Sequence, residues 1–232
     1  MKSAMLAVAA ALAMGAAAIG GSALAADNTL TAAEKAAGWK LLFDGKSTDG
    51  WRGFKTPAPD AGWTVEDGTL GPDPKTSKDI MTKETFGDFE LVFDWKITPK
   101  GNSGVMFHVT ETGEQTYQSG PEYQVVDNAR GEPLNERAGA LYGLYAPEAD
   151  ATKPVGEFNH SRLVLKGGKG EHWLNGVKVA AYDLNSPEFR AKVAATKFKA
   201  WPQFAASPTG HIAIQNHGDH VWYRNIKIRP LK

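Results

Sequence analysis

Three short segments carry hydrogen-bonding side chains at a density that a buried strand does not need. In Glu122-Tyr123-Gln124-Val125-Val126-Asp127, the two-residue period of a strand puts Glu122 and Gln124 on one face. In His211–His217 the same period puts Ile212 and Ile214 on one face, and His211, Ala213, Gln215 and His217 on the other. In Val221–Ile228, Arg224 shares parity with Trp222, Ile226 and Ile228. Either a bulge breaks that alternation, or an arginine sits on a covered face and needs an oxygen partner. A concave sheet lined by Glu, Gln, His, Arg and aromatic rings suits sugar. Planar polar groups bind hydroxyls, and rings stack on C–H faces. Such a surface serves a lectin as well as an enzyme.

Loops add Asn102 in the glycine-flanked turn Lys100–Gly104. They also add Tyr142 and Tyr145 among small residues, and Asn159 in the polar stretch Gly156–His160. Paired carboxylates at glycosidase spacing are missing. The nearest segment, Glu90–Asp94, has the wrong spacing for oxocarbenium chemistry. There is no Gly-x-Ser-x-Gly, no phosphate loop and no His-Glu-x-x-His. His217 and His220 flank Gly218-Asp219, which reads as a plain turn, with a divalent ion as the alternative. No cofactor and no metal ligand is assigned.

The elements that must position these groups are short strands punctuated by turn residues. Examples are Trp39–Phe43, Trp63–Glu66, Phe89–Ile97, Gly104–Thr110, Glu122–Val126, Arg162–Lys166, His172–Leu174, Lys178–Tyr182, Gly210–Gln215 and Val221–Ile228. Asn175-Gly176 is the strongest hairpin signal. The pattern predicts an all-β fold, a sandwich or barrel. A jelly roll that pairs the first and last strands would close it. Only two helical pieces are expected, one within 27–38, capped by Thr31 and stopped by Gly38, and one over Pro187–Lys199.

Lys plus Arg and Asp plus Glu number 26 each, a net charge of zero. That balance argues against nucleic acid or an anionic membrane surface and fits a neutral ligand. Residues 1–26 read as a removable leader. Lys2 precedes an apolar run from Met5 to Ile19, and Ala23-Leu24-Ala25 is a small-x-small cleavage site. The expectation is an exported protein, periplasmic or secreted, with no membrane attachment after cleavage. Residues 27–232 then form one domain. The chain has no cysteine, so neither disulfides nor a lipid anchor enters.

Taken in order, the segments resemble the 3-keto-disaccharide hydrolase family. The matching stretches are Gly38–Gly45 with Trp51, Asn102–Val105, Gly120–Asp127, Gly139–Tyr142, Gly156–Arg162, Glu171–Gly176, Gly210–Gly218 and Val221–Ile226. The resemblance implies a concanavalin A-like jelly roll of two antiparallel sheets. It also implies cleavage of glycosides oxidised at C3. A 3-keto group acidifies the C2 proton; a base removes it, the C1 substituent leaves, and water adds back. On that basis Glu122 or His217 is expected as base, Arg224 as oxyanion stabiliser and His172 as acid. Asn102, Gln124, Asp127, Tyr142, Asn159 and Gln215 would hold the carbohydrate. The chain departs from the family's pattern at His108 (Arg expected), Phe158 (Trp) and Asn216 (Asp in many relatives), the last removing a carboxylate near His217. No nucleotide-binding motif is present, so a separate oxidoreductase would supply the 3-keto sugar. The alternatives are a non-catalytic, lectin-like module that binds unmodified glycans, and a cell-envelope interaction domain with an exposed apolar patch.

Overall fold

The structure, a computed structural model, describes residues 26–232. The expected leader therefore lies outside the described residues, Ala26 excepted. The strands are β1 (Lys40–Leu41), β2 (Trp51–Gly53), β3 (Trp63–Glu66), β4 (Thr69–Pro72), β5 (Ile80–Thr82), β6 (Phe89–Ile97) and β7 (Asn102–Val109). They continue with β8 (Glu122–Val126), β9 (Asn159–Lys166), β10 (Lys169–Leu174), β11 (Val177–Asp183), β12 (His211–Ile214) and β13 (Val221–Pro230). The larger sheet runs β11-β10-β9-β6-β13-β4-β3, with β1 added on β13; the smaller runs β2-β5-β12-β7-β8. All pairings are antiparallel. This is the expected jelly-roll sandwich, closed by the first and last strands, with Lys40 opposite Ile228.

Local sequence sets the turns. Asp67-Gly68, Gly167-Gly168 and Asn175-Gly176 each have positive φ at both positions. That is the type I′ geometry whose twist matches two flanking strands. These turns join β3 to β4, β9 to β10 and β10 to β11. The strands β2, β4 and β5 escape sequence reading because they are three or four residues long and include Gly53, Gly71 and Pro72.

Alternation in β6 sends Phe89, Leu91, Phe93, Trp95 and Ile97 inward. They meet Val105, Phe107, Tyr123, Val125, Ile212 and Ile214 of the smaller sheet. Phe93 packs edge-on against Tyr123 with centroids 5.4 Å apart. A polar seam crosses this core. Trp95 Nε1 donates to Ser161 Oγ at 2.9 Å, and Ser161 Oγ donates to the Tyr123 hydroxyl at 2.9 Å. Such a seam fixes how the sheets register, because each buried polar group must find its partner.

Two bulges redirect side chains. In β13 the register to β6 jumps between Arg224 and Lys227, and Asn225 has φ +53°. The bulge alternative for Arg224 is therefore correct: Ile226 and Ile228 are buried, while Trp222 and Arg224 are only partly so. In β7, His108 has φ +53° where the register to β12 shifts.

The helices are α1 (Ala32–Ala36), with the Thr31–Glu34 capping box, and α2 (Pro187–Ala194). The second helical reading splits. Thr196 is extended, and the chain restarts as a 3-10 turn over Lys197–Ala200. That restart places Lys197 and Phe198 against the smaller sheet's outer face.

Candidate active site

On the smaller sheet, β12, β7 and β8 lie side by side. Their outward residues form the floor of a cavity of about 180 Å³, made by Asn102, Glu122, Gln124 and Gln215, with His217 just beyond β12. Tyr117, Tyr142, Lys197 and Phe198 form its walls. Gly104 of β7 makes room for the central carboxyl. A Cβ there would fall 1.7 Å from Glu122 Oε1. Gly104 also ties the floor together, since its carbonyl accepts the Gln215 N–H at 2.9 Å.

Glu122 is 7% exposed, and among the described residues its carboxyl has no hydrogen-bond partner. Burial is the main force on it, strengthened by the negative Asp79, opposed by Lys197 and strengthened again by Glu136; together they raise its pKa from 4.5 to about 8. A carboxyl poised there gives and takes protons near neutral pH. Gln124 is also open to a ligand. Its Nε2 donates to Asn102 Oδ1 (3.3 Å) and the Glu136 carbonyl (3.1 Å), while its buried Oε1 has no partner. An unmet buried acceptor in a cavity wall is a place for a hydroxyl.

The walls supply charge and apolar surface. Lys197 Nζ donates to the Tyr142 hydroxyl at 3.3 Å and sits 4.6 Å from that ring's centroid. Burial, then Glu136 and Glu122, pushes the Tyr142 hydroxyl up to about 12, so it stays protonated. The Tyr142 N–H donates to the Glu122 carbonyl at 3.0 Å, which fixes this wall to the floor. Phe198 stacks on Phe204, centroids 4.1 Å apart.

Asp79, before β5, staples two sides of the cavity. It accepts from Thr116 Oγ1, next to Tyr117, and from the Asn216 N–H at 3.1 Å, next to His217. Burial raises its pKa against the pull of those hydrogen bonds and of His217. The carboxylate near His217 thus comes from Asp79. Asn216 has another task. Its amide donates to the Ser77 carbonyl at 2.7 Å and the Pro74 carbonyl at 3.3 Å, pinning the turn that precedes Asp79. An aspartate has no N–H to give there.

Of the residues picked out in the sequence, Glu122, His217, Asn102, Gln124, Tyr142 and Gln215 converge on this cavity. Four do not. Arg224 belongs to the other sheet, pairs with Asp27 at 2.6 Å, and lies 3.9 Å over the Phe158 ring. It cannot serve as the oxyanion group of this cavity. His172 is wholly buried between the sheets. Its Nδ1 donates to the Gly139 carbonyl and its Nε2 accepts from the Tyr182 hydroxyl, both at 2.9 Å. Burial lowers its pKa to about 4, and no path leads from it to substrate as an acid. Asp127 caps a turn, accepting from the Ala129 and Lys100 N–H groups. Asn159 accepts from the Lys153 N–H and Asn175 Nδ2, each at 2.8 Å, on the larger sheet. His108 is buried at its bulge and donates to the Gly87 carbonyl.

Sequence reading missed Lys197, Phe198, Tyr117 and Asp79. The first two were hidden in a segment read as one helix; Asp79 precedes a strand that was not recognised. Among the described residues no group of three or more His, Asp or Glu side chains is placed to hold a metal. His217 lines the cavity while His220 stacks on Trp222, so the two do not converge.

Comparison with known proteins gives the family and the fold. The family described as the 3-keto-alpha-glucoside-1,2-lyase-like domain matches residues 38–229. A protein of Bacteroides thetaiotaomicron named 3-keto-disaccharide hydrolase is 30% identical over 228 residues, covering 84% of this chain and 79% of the relative. A solved structure from Parabacteroides distasonis, named a "putative glycosyl hydrolase", superposes with a TM-score of 0.83 at 36% identity, over 89% of this chain and all of that one. A second from the same organism and under the same name reaches 0.65 at 29% identity, over 83% of this chain and 99% of that one. A Bacillus subtilis protein of unknown function with a galectin-like fold, 12% identical with a TM-score of 0.51, shares the fold alone; the match covers 88% of this chain and 94% of that one.

Proposed function

The chain belongs to the 3-keto-alpha-glucoside-1,2-lyase-like family, and from that premise we propose that it cleaves the glycosidic bond of 3-keto-glycosides by elimination and hydration. The observation that carries this reading is Glu122, a buried carboxyl with no hydrogen-bond partner among the described residues, its pKa raised to about 8, on the floor of a polar cavity. An oxocarbenium route needs two opposed carboxylates at set spacing. Proton abstraction next to a ketone needs one base and one positive group.

Glu122 takes the C2 proton. The C–H electron pair moves into an enolate whose negative oxygen, at C3, faces Lys197. Lys197 therefore fills the role the sequence suggested for Arg224. The enolate collapses to a C1–C2 double bond, the C1–O bond breaks, and the leaving oxygen takes a proton from His217 at the cavity mouth. Water then adds its hydroxyl to C1 and a proton returns to C2, completing a net hydrolysis. Gln124 Oε1, Asn102 and Gln215 hold the ring hydroxyls. A space of about 180 Å³ accepts one sugar ring and leaves the aglycone outside.

Two further parts of the proposal concern surroundings. The protein acts in the periplasm or outside the cell, a reading supported by the leader pattern of residues 1–26. The N-terminal sequence of protein recovered from culture checks it. An oxidoreductase acting before this enzyme must install the 3-keto group. The direct test of the activity is aglycone release from paired glucosides, 3-keto and unoxidised. Release from the 3-keto member alone is expected. Equal release from both would refute elimination, and binding of the unoxidised member without any turnover would make the protein a lectin-like module.

A further inference from the structure

A second concave site lies across the loop that carries His217. It is a trough of about 750 Å³ on the outer face of the larger sheet, where β3, β4 and β13 run side by side. Its central ring is Trp222, which is only partly buried. Tyr223 pairs with Leu70, which sets Gly71 beside Trp222. A Cβ at Gly71 would come within 2.8 Å of the Val221 carbonyl and 3.9 Å of Trp222 Cδ1. Glycine there leaves one flank of the indole open to the trough. The other flank is covered by Lys96, 4.6 Å from the ring centroid. His220 stacks beside the indole, its ring within 15° of parallel and 5.8 Å away, so the ring edge next to Gly71 is the part turned to the trough.

The rest of the lining is polar, with more carboxylates than ammonium groups. Thr64 and Glu66 project from β3, and Lys75 comes from the loop after β4. All three are exposed, and among the described residues their side chains make no hydrogen bond. Asp73 and Asp219 also reach the trough but are committed, Asp73 to the Lys75 N–H and Asp219 to the Asn102 N–H and Arg130. Arg130 answers Asp219, but Glu66 and Asp73 together outweigh the ammonium of Lys75, so an anion is repelled and the carboxylate oxygens stand as acceptors for hydroxyls. An aromatic edge among hydroxyl, carboxylate and ammonium groups suits a polyhydroxylated ligand without negative charge. At about 750 Å³ the trough falls within the usual ~300–1,000 Å³ of ligand sites. It holds several sugar rings where the cavity holds one.

We propose that this trough binds a neutral, unoxidised oligosaccharide against the open edge of Trp222, independently of the cavity chemistry. The shared loop sets the two sites back to back, with His217 in the cavity and Gly218–His220 in the trough. The inference does not rest on the elimination mechanism. The test uses hexasaccharides of the malto, cello and laminari series with the whole protein, by isothermal titration and affinity electrophoresis. At least one series should bind wild type and Glu122→Gln equally. Trp222→Ala, and separately Thr64→Arg to fill the trough from β3, should each weaken that binding about tenfold or more. Trp222→Ala should change turnover of a 3-keto-glucoside with a small aglycone by less than about twofold. No binding in any series, binding unmoved by both trough variants, or binding lost in Glu122→Gln would each overturn the proposal.

Discussion

Glu122 and Glu90 are equally buried, at 7% exposure, on different sheets of one sandwich, and their chemistry points in opposite directions. For Glu90, burial pushes the pKa up, but the guanidinium groups of Arg162 and Arg229 outweigh it and hold the carboxyl below its ordinary value. The Arg162 contact is 2.5 Å. Glu122 has no such partner among the described residues, and burial wins. The larger sheet saturates its central charges. Asp94 is likewise answered by His160, Asn225 and Arg224. The smaller sheet leaves its charge unanswered, along with the Gln124 Oε1 acceptor. A buried polar group with all partners present contributes to the fold; one left open is available to a ligand.

The largest expected effect is catalytic. Glu122→Gln keeps size and removes the base, so turnover of a 3-keto-glucoside should fall by roughly 10²–10⁴. Glu90→Gln should leave turnover nearly unchanged. If the two variants lost activity equally, the contrast between the sheets would be broken. Next comes Lys197→Met, with a loss of about 10²-fold or more in kcat if Lys197 meets the enolate oxygen.

The pH dependence sharpens the same comparison. As a base, Glu122 must be ionised, so the rate of C2 deuterium exchange, a step that does not call on the acid His217, should rise with pH and level off above about 8. Stability should move the other way. The folded pKa of Glu122 lies above its unfolded value, so the contribution is full below about 4.5 and is lost as pH rises through about 8. Glu122→Gln should therefore be more stable than wild type at pH 9, by on the order of a few kcal/mol in urea titrations. Glu90 has the reverse sign. Its lowered pKa contributes stability above the unfolded value, lost as pH falls through the folded one. Glu90→Gln at pH 7 should cost about 1–3 kcal/mol, since it strands two guanidinium groups.

The smallest effect belongs to Arg224→Met. It should cost about 1 kcal/mol of stability, as expected for a partly exposed ion pair. It should also leave kcat within about twofold, because Arg224 acts far from the cavity.

How far the sequence was legible follows from these same residues. Two-residue alternation found Glu122 and Gln124 because β8 is regular, and Gln215 because its N–H still bonds the Gly104 carbonyl one residue past β12, with His217 two residues further on. Arg224 was misplaced for two physical reasons. The bulge at Asn225 changes side-chain direction, and alternation within one strand does not say which sheet the strand joins. His172 shares parity with the buried Leu174, so its place in the core was readable, but its imidazole suggested chemistry. Lys197 was hidden by a local break. Thr196 is extended between α2 and the following 3-10 turn, and an uninterrupted helix would have pointed Lys197 elsewhere.

The central claim is that Glu122 removes the C2 proton. The direct measurement is deuterium incorporation at C2 of a 3-keto-glucoside in D₂O, followed by NMR with wild type and Glu122→Gln. The account predicts incorporation and aglycone release with wild type, and loss of both in the variant, which stays folded. Incorporation by Glu122→Gln at the wild-type rate would contradict it.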